Sequence, residues 1–240
     1  MEPQQTQYAY VGNELDLFAA ARRWKSYWGR AVRPYLGATV LDVGAGIGET
    51  ARLLCGAGQH QWVALEPDAA LVQRRKGDLP SACEFRVGTM GTLAPSVKFS
   101  SILYIDVLEH IQDDRSEMER AAAHLAPGGH LVVLSPAHQF LYTPFDAAIG
   151  HCRRYSRQSL LAAAPPHLEL VSMRYLDSVG MLASLGNKLV LGSSMPTAAQ
   201  IKLWDSWMVP CSRLVDPVFG YRLGKSILGI WRRNEKRPWS

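Results

Sequence analysis

Short apolar runs alternate with segments of helical spacing along residues 39–135 of this 240-residue chain. The runs predict five β-strands, at residues 39–43, 61–65, 83–87, 101–105 and 130–134. Residues 113–125 have helical spacing, and the stretch from the glycines at 44–48 through Leu54 is compatible with a helix. The Ala-Pro-Gly-Gly sequence at 126–129 predicts a turn. Because strands and helices alternate with short connections, the pattern predicts a parallel sheet with helices on both faces.

The second half of the chain is less regular but adds two strands to the prediction. Apolar runs at 167–175 and 226–231 predict the sixth and seventh strands, and residues 156–164 predict a helix. The predicted fold class is therefore α/β, with a seven-stranded, mostly parallel sheet and helices on both faces.

Two segments outside the sheet are predicted to be helical. Residues 1–38 are interpreted as an N-terminal extension, and residues 39–240 as the main domain. Within that domain, residues 179–220 are too long for a plain loop and predict a helical insertion before the last strand. Its aromatic side chains favour packing against a core, a lid over the site or contact with a membrane surface, and these three alternatives stay open.

Composition and charge exclude several classes of protein. With 48% hydrophobic and 20% charged residues, the chain has the composition of a globular domain with ample core. The net charge of +5 comes from short basic clusters that are typical of solvated faces. The four cysteines form no Cys-x-x-Cys pair, so neither a disulfide framework nor a metal site is predicted. Residues 1–7 lack an apolar signal core, and we expect a cytoplasmic protein.

A glycine-rich loop carries the first chemical signal. Residues 42–48 read Asp-Val-Gly-Ala-Gly-Ile-Gly and directly follow the first predicted strand. In parallel sheets, ligands bind outside the carboxyl ends of the strands, and glycine lets the backbone turn sharply and approach a ligand closely. The Gly-x-Gly-x-Gly spacing differs from the Gly-x-Gly-x-x-Gly of dinucleotide sites. Glu66 ends the second strand, where a carboxylate can accept hydrogen bonds from both ribose hydroxyls.

A third segment completes the pattern. The run Asp-Val-Leu-Glu-His-Ile at 106–111 follows the fourth strand, and Leu-Ala-Pro-Gly-Gly at 125–129 precedes the fifth. Together with the glycine loop and the Leu-Glu-Pro at 65–67, these segments resemble the successive motifs of class I S-adenosylmethionine-dependent methyltransferases. The resemblance covers residues 39–135 and implies a Rossmann-like fold that uses S-adenosylmethionine as the methyl donor.

The resemblance also implies a set of cofactor-binding residues. Asp42, Gly44 and Gly46 would line the methionine part, and Glu66 would hold the ribose. Pro67 would lie near the adenine, with Thr89 and Met90 on its far side, although the family often has Asp before the apolar residue of that pair. The predicted cofactor set also includes three further residues, namely Ala45, Asp106 and Val107.

Downstream segments resemble a bacterial subgroup of these enzymes. Residues 135–138 read Ser-Pro-Ala-His, and residues 150–155 read Gly-His-Cys-Arg-Arg-Tyr, with Asp146 four residues before the glycine. Many members of the subgroup are encoded beside glycan or secondary-metabolite genes. The predicted acceptor-binding residues are His138, Arg153, Arg154 and Tyr155; the arginines would bind an anionic acceptor or anchor the loop.

Methyl transfer is a direct displacement, so alignment of donor and acceptor is the main requirement. A hydroxyl acceptor also needs a base, and histidine titrates closest to neutral pH. His110, His138 and His151 are the candidate bases, and the predicted catalytic set is His110, His151 and Asp146. A structural role is the alternative for His110 at the start of a helix, and for His151 in a loop pinned by Asp146.

The leading prediction is methyl transfer to an oxygen of a small-molecule acceptor in secondary-metabolite or glycan biosynthesis. Methylation of nitrogen or carbon, or of a lipid-linked acceptor at a membrane surface, stays open. A nicotinamide-dependent oxidoreductase lacks its glycine spacing here, and a nucleic-acid methyltransferase lacks a basic stripe with aromatics and a motif for a flipped base. A module that only holds the cofactor is a further alternative. No nucleic-acid partner is expected, and the protein is expected to be a monomer or homodimer.

Overall fold

The computed structural model describes residues 14–56, 61–74, 79, 81–190 and 196–234, with no side-chain description for 14 and 187–190. Seven strands form one sheet: β1 (Thr39–Val43), β2 (Gln61–Glu66), β3 (Cys83–Val87), β4 (Phe99–Ile105), β5 (Leu125–Pro136), β6 (Leu168–Leu176) and β7 (Ser226–Arg233). Their order is β3-β2-β1-β4-β5-β7-β6. Strands β1 to β5 are parallel, and β7 runs antiparallel to both β5 and β6. The predicted fold class is confirmed.

Ten α-helices surround the sheet within the described residues. They are α1 (Glu14–Ala19), α2 (Arg22–Val32), α3 (Glu49–Leu54), α4 (Ala69–Arg74), α5 (Asp114–His124), α6 (Pro144–Ala148), α7 (Arg157–Ala163), α8 (Ser178–Val190), α9 (Ala198–Leu203) and α10 (Val209–Val218). A π-helical turn, Trp204–Met208, joins α9 to α10. Side-chain caps begin two of the predicted helices, since Asp113 accepts from Ser116 N–H on α5 and Ser156 accepts from Ser159 N–H on α7.

The central strands are apolar on both faces because each face is covered by helices. One face packs on α5 and α7, where Tyr104 and Met118 are fully buried. The other face packs on α2 and α3, where Trp28 and Trp62 are buried. Burial of this kind is the dominant stabilising term, and truncating a fully buried core side chain to alanine typically costs about 2–5 kcal/mol. The sheet is therefore a rigid platform for whatever its carboxyl edge binds.

The boundary between α5 and β5 differs from the prediction. Strand β5 begins at Leu125, which pairs with Phe99, whereas the next pair joins His130 to Ser101. The predicted turn at 126–129 is therefore a bulge inside the strand. Gly129 explains the tight path, because a Cβ atom there would lie 2.9 Å from the Ala126 carbonyl oxygen.

Helix α9, the π-helical turn and α10, residues 198–218, form what we call the helical roof. Buried aspartates attach the roof to its neighbours. Asp205 accepts hydrogen bonds from the backbone N–H groups of Trp24 (2.9 Å) and Arg23 (3.2 Å) on α2. Asp216 accepts from the Tyr27 hydroxyl on α2 and from the Asp177 N–H at the end of β6, both at 2.7 Å. The roof and the N-terminal helix α2 are therefore joined by buried polar contacts as well as by packing.

The predicted helical segments are only partly within the described residues. Residues 1–13 and 191–195 lie outside them. The described parts of 1–38 and 179–220 are predominantly helical. None of the helices in the described part of the chain is both long and apolar enough to cross a membrane.

Candidate functional site

A large cavity opens at the carboxyl ends of β1, β2 and β4, under the helical roof. Its volume is about 1350 Å³. Cavities that bind small molecules typically measure about 300–1,000 Å³, so this one has room for two ligands side by side. Of the predicted cofactor residues, all but Asp42 line it: Gly44, Ala45, Gly46, Glu66, Pro67, Thr89, Met90, Asp106 and Val107. Of the other predicted site residues, it is lined by His110, Asp146, His151 and Arg154.

The glycine loop lies on one side of the cavity. Gly44 and Gly46 have φ angles of 66° and 55°, the left-handed region that favours glycine. A Cβ atom on Gly44 would lie 2.7 Å from the Val107 side chain. The N–H groups of Gly44 and Ala45 both donate to the Leu65 carbonyl, at 2.8 and 3.1 Å. The loop is thus fixed to the end of β2 and close to the segment after β4.

Glu66 is held in one orientation beside that loop. One carboxylate oxygen accepts from the Gly46 N–H at 2.8 Å, and the other accepts from the Asp68 N–H at 2.9 Å. Burial raises the pKa of Glu66, and the two backbone hydrogen bonds oppose this rise. A carboxylate oxygen accepts more than one hydrogen bond, so both oxygens keep capacity for the hydroxyls of a bound ribose.

Asp42 lies beneath the loop and does not face the cavity, contrary to the prediction. Successive strand residues point to opposite faces of a sheet, and here Val43 takes the cavity side. Asp42 is 1% exposed, and among the described residues its Oδ2 has no hydrogen-bond partner. Burial raises the pKa of Asp42 to about 8; Trp62 opposes this rise, and the charge of Glu66 adds to it.

Asp106 stands between the two sides of the cavity. It follows β4 with a φ of 54°, an uncommon conformation for a residue with a side chain, and its N–H donates to the Leu134 carbonyl at 2.8 Å. The side chain is solvent-exposed within the cavity. The protein atoms around its carboxyl raise the pKa of Asp106 by desolvation, while His151 and Lys225 act in the opposite direction. Strained backbone is often found at functional sites, and this position is consistent with one.

The opposite side of the cavity contains a network centred on Asp146, which is completely buried. It accepts from Arg154 through two hydrogen bonds of 2.9 and 3.0 Å and from the Thr143 N–H at 2.9 Å. The same carboxylate lies 2.9 Å from Nδ1 of His151, so we place the proton of this imidazole on Nδ1. Burial raises the pKa of Asp146, but the hydrogen bonds from His151 and Arg154 outweigh it and hold the pKa at about 2.

Glu109 and His110 lie beside His151. Oε2 of Glu109 accepts from the Ser135 hydroxyl at 2.9 Å, and Oε1 lies 3.8 Å from Nε2 of His151. Burial raises the pKa of Glu109 well above its ordinary value, and the charge of Asp106 adds to the rise. The His110 and His151 rings meet edge to face, with centroids 4.6 Å apart. Burial lowers the pKa of His110 to about 4, so that ring is neutral at physiological pH.

Three predicted acceptor-binding residues do not line the cavity. Arg153 donates to the carbonyls of Ile111 (2.9 Å) and Gln112 (2.8 Å) and pairs with Asp114 at 2.7 Å. Tyr155 is buried and donates to the same Asp114 at 2.7 Å, and His138 stacks on Tyr175 with ring centroids 4.6 Å apart. These side chains are engaged by the fold itself because they anchor the loop that carries His151.

Two residues of the cavity wall were missed by the sequence prediction. Glu109 stands next to His110 in the motif, and its acidic character was the available signal. Lys225 precedes β7, with its ammonium 3.7 Å from the centre of the Trp204 ring and 3.5 Å from Asp177. Burial lowers the pKa of Lys225. A single lysine before an apolar strand gives no sequence signal for such contacts.

This sheet order, the glycine loop at the end of β1 and the carboxylate at the end of β2 define a class I S-adenosylmethionine-dependent methyltransferase. The family model described as "Methyltransferase domain" matches residues 16–164, and the chain belongs to this family. The match confirms the class of enzyme and the cofactor predicted from the sequence.

Known proteins of the same kind are similar to parts or all of the chain. It is 30% identical over 122 residues to a ubiquinone biosynthesis O-methyltransferase of Paramagnetospirillum magneticum, covering 49% of each protein. It is 33% identical over 108 residues to a protein of the same name from Bradyrhizobium sp., covering 40% of this chain and 39% of that protein. The chain thus matches about half the length, or less, of these curated relatives.

A solved structure resembles nearly the whole chain. The SAM-dependent methyltransferase from Archaeoglobus fulgidus superposes with a TM-score of 0.61 at 14% identity, covering 92% of this chain and 97% of that protein. At this identity the likeness supports the fold alone.

Proposed function

We propose that the protein transfers the methyl group of S-adenosylmethionine to a hydroxyl oxygen of a small-molecule acceptor. The observation that carries the proposal is the His151–Asp146 pair in the cavity wall. Asp146 accepts from Nδ1 of His151, and its negative charge stabilises the imidazolium that forms when Nε2 takes a proton. The relatives named as O-methyltransferases support oxygen as the atom methylated.

The two sides of the cavity would bind different ligands, the cofactor and the acceptor. The glycine loop and Glu66 would hold the cofactor, with its methyl group directed towards Asp106 at the end of β4. The acceptor would lie on the His151 side, where its hydroxyl loses a proton to Nε2. The oxygen–methyl bond forms as the sulfur–methyl bond breaks, and S-adenosylhomocysteine leaves. His110 is the weaker candidate for the base because its lowered pKa leaves it a poor proton acceptor at neutral pH.

The proposal is tested by incubating the protein with methyl-labelled S-adenosylmethionine and matched acceptors that differ only in a hydroxyl, amine or activated carbon. Phenols, sugars and lipid-linked alcohols supply the hydroxyl series. We expect transfer to a hydroxyl and a large loss of that transfer in the His151→Asn variant. Transfer to amines or carbons alone, or an unimpaired His151→Asn variant, would contradict the proposal.

A lipid-linked acceptor is favoured by a specific surface of the helical roof. Trp207, Leu214 and Val218 are 69%, 76% and 82% exposed, and they lie at spacings of seven and four residues. Both acidic residues of the roof are buried, whereas Lys202 is exposed. An apolar helical stripe with basic neighbours is typical of membrane-surface helices. Sedimentation with anionic vesicles tests membrane-surface binding by the roof. Binding that is weaker in the Trp207→Ala variant supports it. Equal binding to anionic and zwitterionic vesicles contradicts it.

We further infer membership of the bacterial subgroup with the Gly-His-x-Arg-Arg-Tyr motif, with glycan or secondary-metabolite precursors as acceptors. The contacts of Arg153 and Tyr155 support a loop of defined structure around His151. A cytoplasmic location, the division of the chain at residue 38 and the lid role of 179–220 remain predictions.

A further inference from the structure

Three potential metal ligands converge on the acceptor side of the cavity. Glu109 and His110 lie in the 3₁₀ turn after β4, and His151 lies in the loop after α6. One ligand atom from each residue lies within 4.8 Å of the other two. Two atoms that both bind one ion at about 2.1 Å can be at most roughly 4.2 Å apart. The 3.8 Å between Nε2 of His151 and Oε1 of Glu109 is already inside that limit.

The Glu109 carboxyl is the least satisfied polar group of this cluster. Its side chain is completely buried, and among the described residues its Oε1 has no hydrogen-bond partner. Oε2 is fixed by the Ser135 hydroxyl at 2.9 Å, so the position of Oε1 is fixed as well. A buried oxygen without a partner costs free energy, and a cation at this point would remove that cost.

The surroundings of the two histidines match those of metal-binding histidines. Such residues nearly always donate their second ring N–H to a carboxylate or a backbone carbonyl, which orients the ring. His151 has Asp146 at 2.9 Å from Nδ1, and His110 is hydrogen-bonded to the backbone of Gly150. Asp146 is itself held by Arg154 through two hydrogen bonds. The outer contacts that a metal site needs are therefore in place.

We propose that Glu109, His110 and His151 bind a divalent transition-metal ion that holds the acceptor hydroxyl in the cavity. Two imidazoles and one carboxylate suit Zn²⁺ or Fe²⁺ and disfavour Mg²⁺ and Ca²⁺, which prefer oxygen ligands. Three protein ligands leave a coordination position for a water molecule or an acceptor oxygen. The sequence predicted no metal site because the ligands are separated by about forty residues and include no cysteine.

The role of the ion rests on the proposed methyl transfer to a hydroxyl oxygen and gives a different route for removing the hydroxyl proton. A hydroxyl bound to a divalent metal ion loses its proton more readily than a free one. The proton passes to water, the oxygen–methyl bond forms, and the sulfur–methyl bond breaks with its electron pair left on sulfur. His151 then acts as a ligand, and coordination to the ion replaces proton removal by Nε2.

The test begins with the full chain, freed of metal by a chelator and dialysed. Calorimetric titration with ZnCl₂ is expected to show one equivalent bound, and CoCl₂ is expected to give the visible absorption of a low-symmetry Co²⁺ site. Glu109→Gln keeps the size of the side chain and an acceptor for Ser135, and it should weaken Zn²⁺ binding at least about 10-fold. The matched control is His167→Ala, since His167 faces Glu119 at 4.0 Å outside the cavity and should leave Zn²⁺ affinity unchanged.

A second variant separates a metal site from a purely structural cluster. Asp146→Asn removes the charge behind His151 and is expected to weaken Zn²⁺ binding about 10- to 100-fold, as for other outer contacts of metal ligands. Thermal unfolding shows that each variant is folded. Less than one equivalent of Zn²⁺, or equal affinity in wild type and Glu109→Gln, would overturn the metal site.

Methyl transfer is measured separately, so the two proposals fail in different ways. If Zn²⁺ binds as expected but no hydroxyl is methylated, the metal site stands and the proposed function fails. If hydroxyls are methylated at an unchanged rate after the ion is removed, the proposed function stands and the role of the ion in holding the acceptor is wrong.

Discussion

The cofactor side and the acceptor side of the cavity are built on different principles. The cofactor side is formed mainly by the backbone. It consists of glycines in the left-handed region and of N–H groups that fix Glu66. On the acceptor side, buried ionisable side chains hold each other, with Asp146 linking Arg154 and His151. Backbone geometry is encoded locally, whereas a side-chain network depends on contacts between distant segments. The first can be found in a sequence as a motif, whereas the contacts of the second can be found only in part.

The largest effect is expected on the acceptor side. His151→Asn retains a hydrogen bond to Asp146 but removes the imidazole Nε2 that serves as base or ligand. Removal of an acid–base group typically costs about 10²- to 10⁴-fold in rate, and we expect a fall of that size in kcat. Affinity for S-adenosylmethionine should be unchanged, because His151 lies away from the glycine loop. Stopped assays measure kcat, and calorimetry measures the affinity for S-adenosylmethionine. An equal loss in kcat and in affinity would contradict the separation of an acceptor side from a cofactor side.

A smaller effect is expected on the cofactor side from Glu66→Gln. The amide places an N–H₂ group among the donors of Gly46 and Asp68 and weakens the contact with the ribose. Hydrogen bonds to a charged group contribute about 1.5–3 kcal/mol, so affinity for S-adenosylmethionine should fall roughly 10- to 100-fold. The control is Glu84→Gln, a surface carboxylate paired with Arg86, which should bind the cofactor like wild type. Unchanged affinity in Glu66→Gln would show that the ribose lies elsewhere.

A further effect is expected from the buried hydrogen bonds that attach the helical roof to its neighbours. Asp216→Asn turns an amide group towards the Tyr27 hydroxyl and the N–H groups of Asp177 and Ser178. Donors left without an acceptor destabilise the folded state, and we expect a loss of about 2 kcal/mol in the free energy of unfolding. Denaturant unfolding measures it. A loss below the error of that measurement would mean that the roof is attached by apolar packing alone.

A pH-dependent effect on stability is expected from Asp42. Its pKa is about 8 in the folded chain and about 3.9 when unfolded, so the folded chain binds one more proton between those values. Stability therefore falls as pH rises from about 4 to about 8, and the penalty is complete above that. Asp42→Asn removes this penalty, so the variant should gain free energy of unfolding relative to wild type at pH 8 but almost none near pH 4. Equal gains at pH 5 and pH 8 would contradict the pKa assigned to Asp42.

The fold and the cofactor side were accessible to prediction because their signals are local. Strand runs, the glycine loop and Glu66 each occupy a few consecutive positions, and the structure brings them to one edge of the sheet. Asp42 does not line the cavity, because strand alternation sends Val43 rather than Asp42 to that side.

The acceptor side was less accessible because its partners are distant along the chain. His110 and His151 were named from their motifs, but nothing in the sequence brings Glu109 within 3.8 Å of His151. Arg153 and Tyr155 were assigned to the acceptor, whereas Asp114, about forty residues earlier, engages both. Lys225 lies over Trp204 only because the helical roof folds back across the sheet.

The most direct test of the two-sided cavity is a crystal structure of the protein with S-adenosylhomocysteine bound. We expect both ribose hydroxyls on the Glu66 carboxylate, the methionine part along Gly44 to Gly46, and the sulfur directed towards Asp106. The space beyond the sulfur would then be walled by Glu109, His110 and His151. A ligand whose ribose contacts neither oxygen of Glu66, or whose adenine fills the space beside His151, would contradict the account.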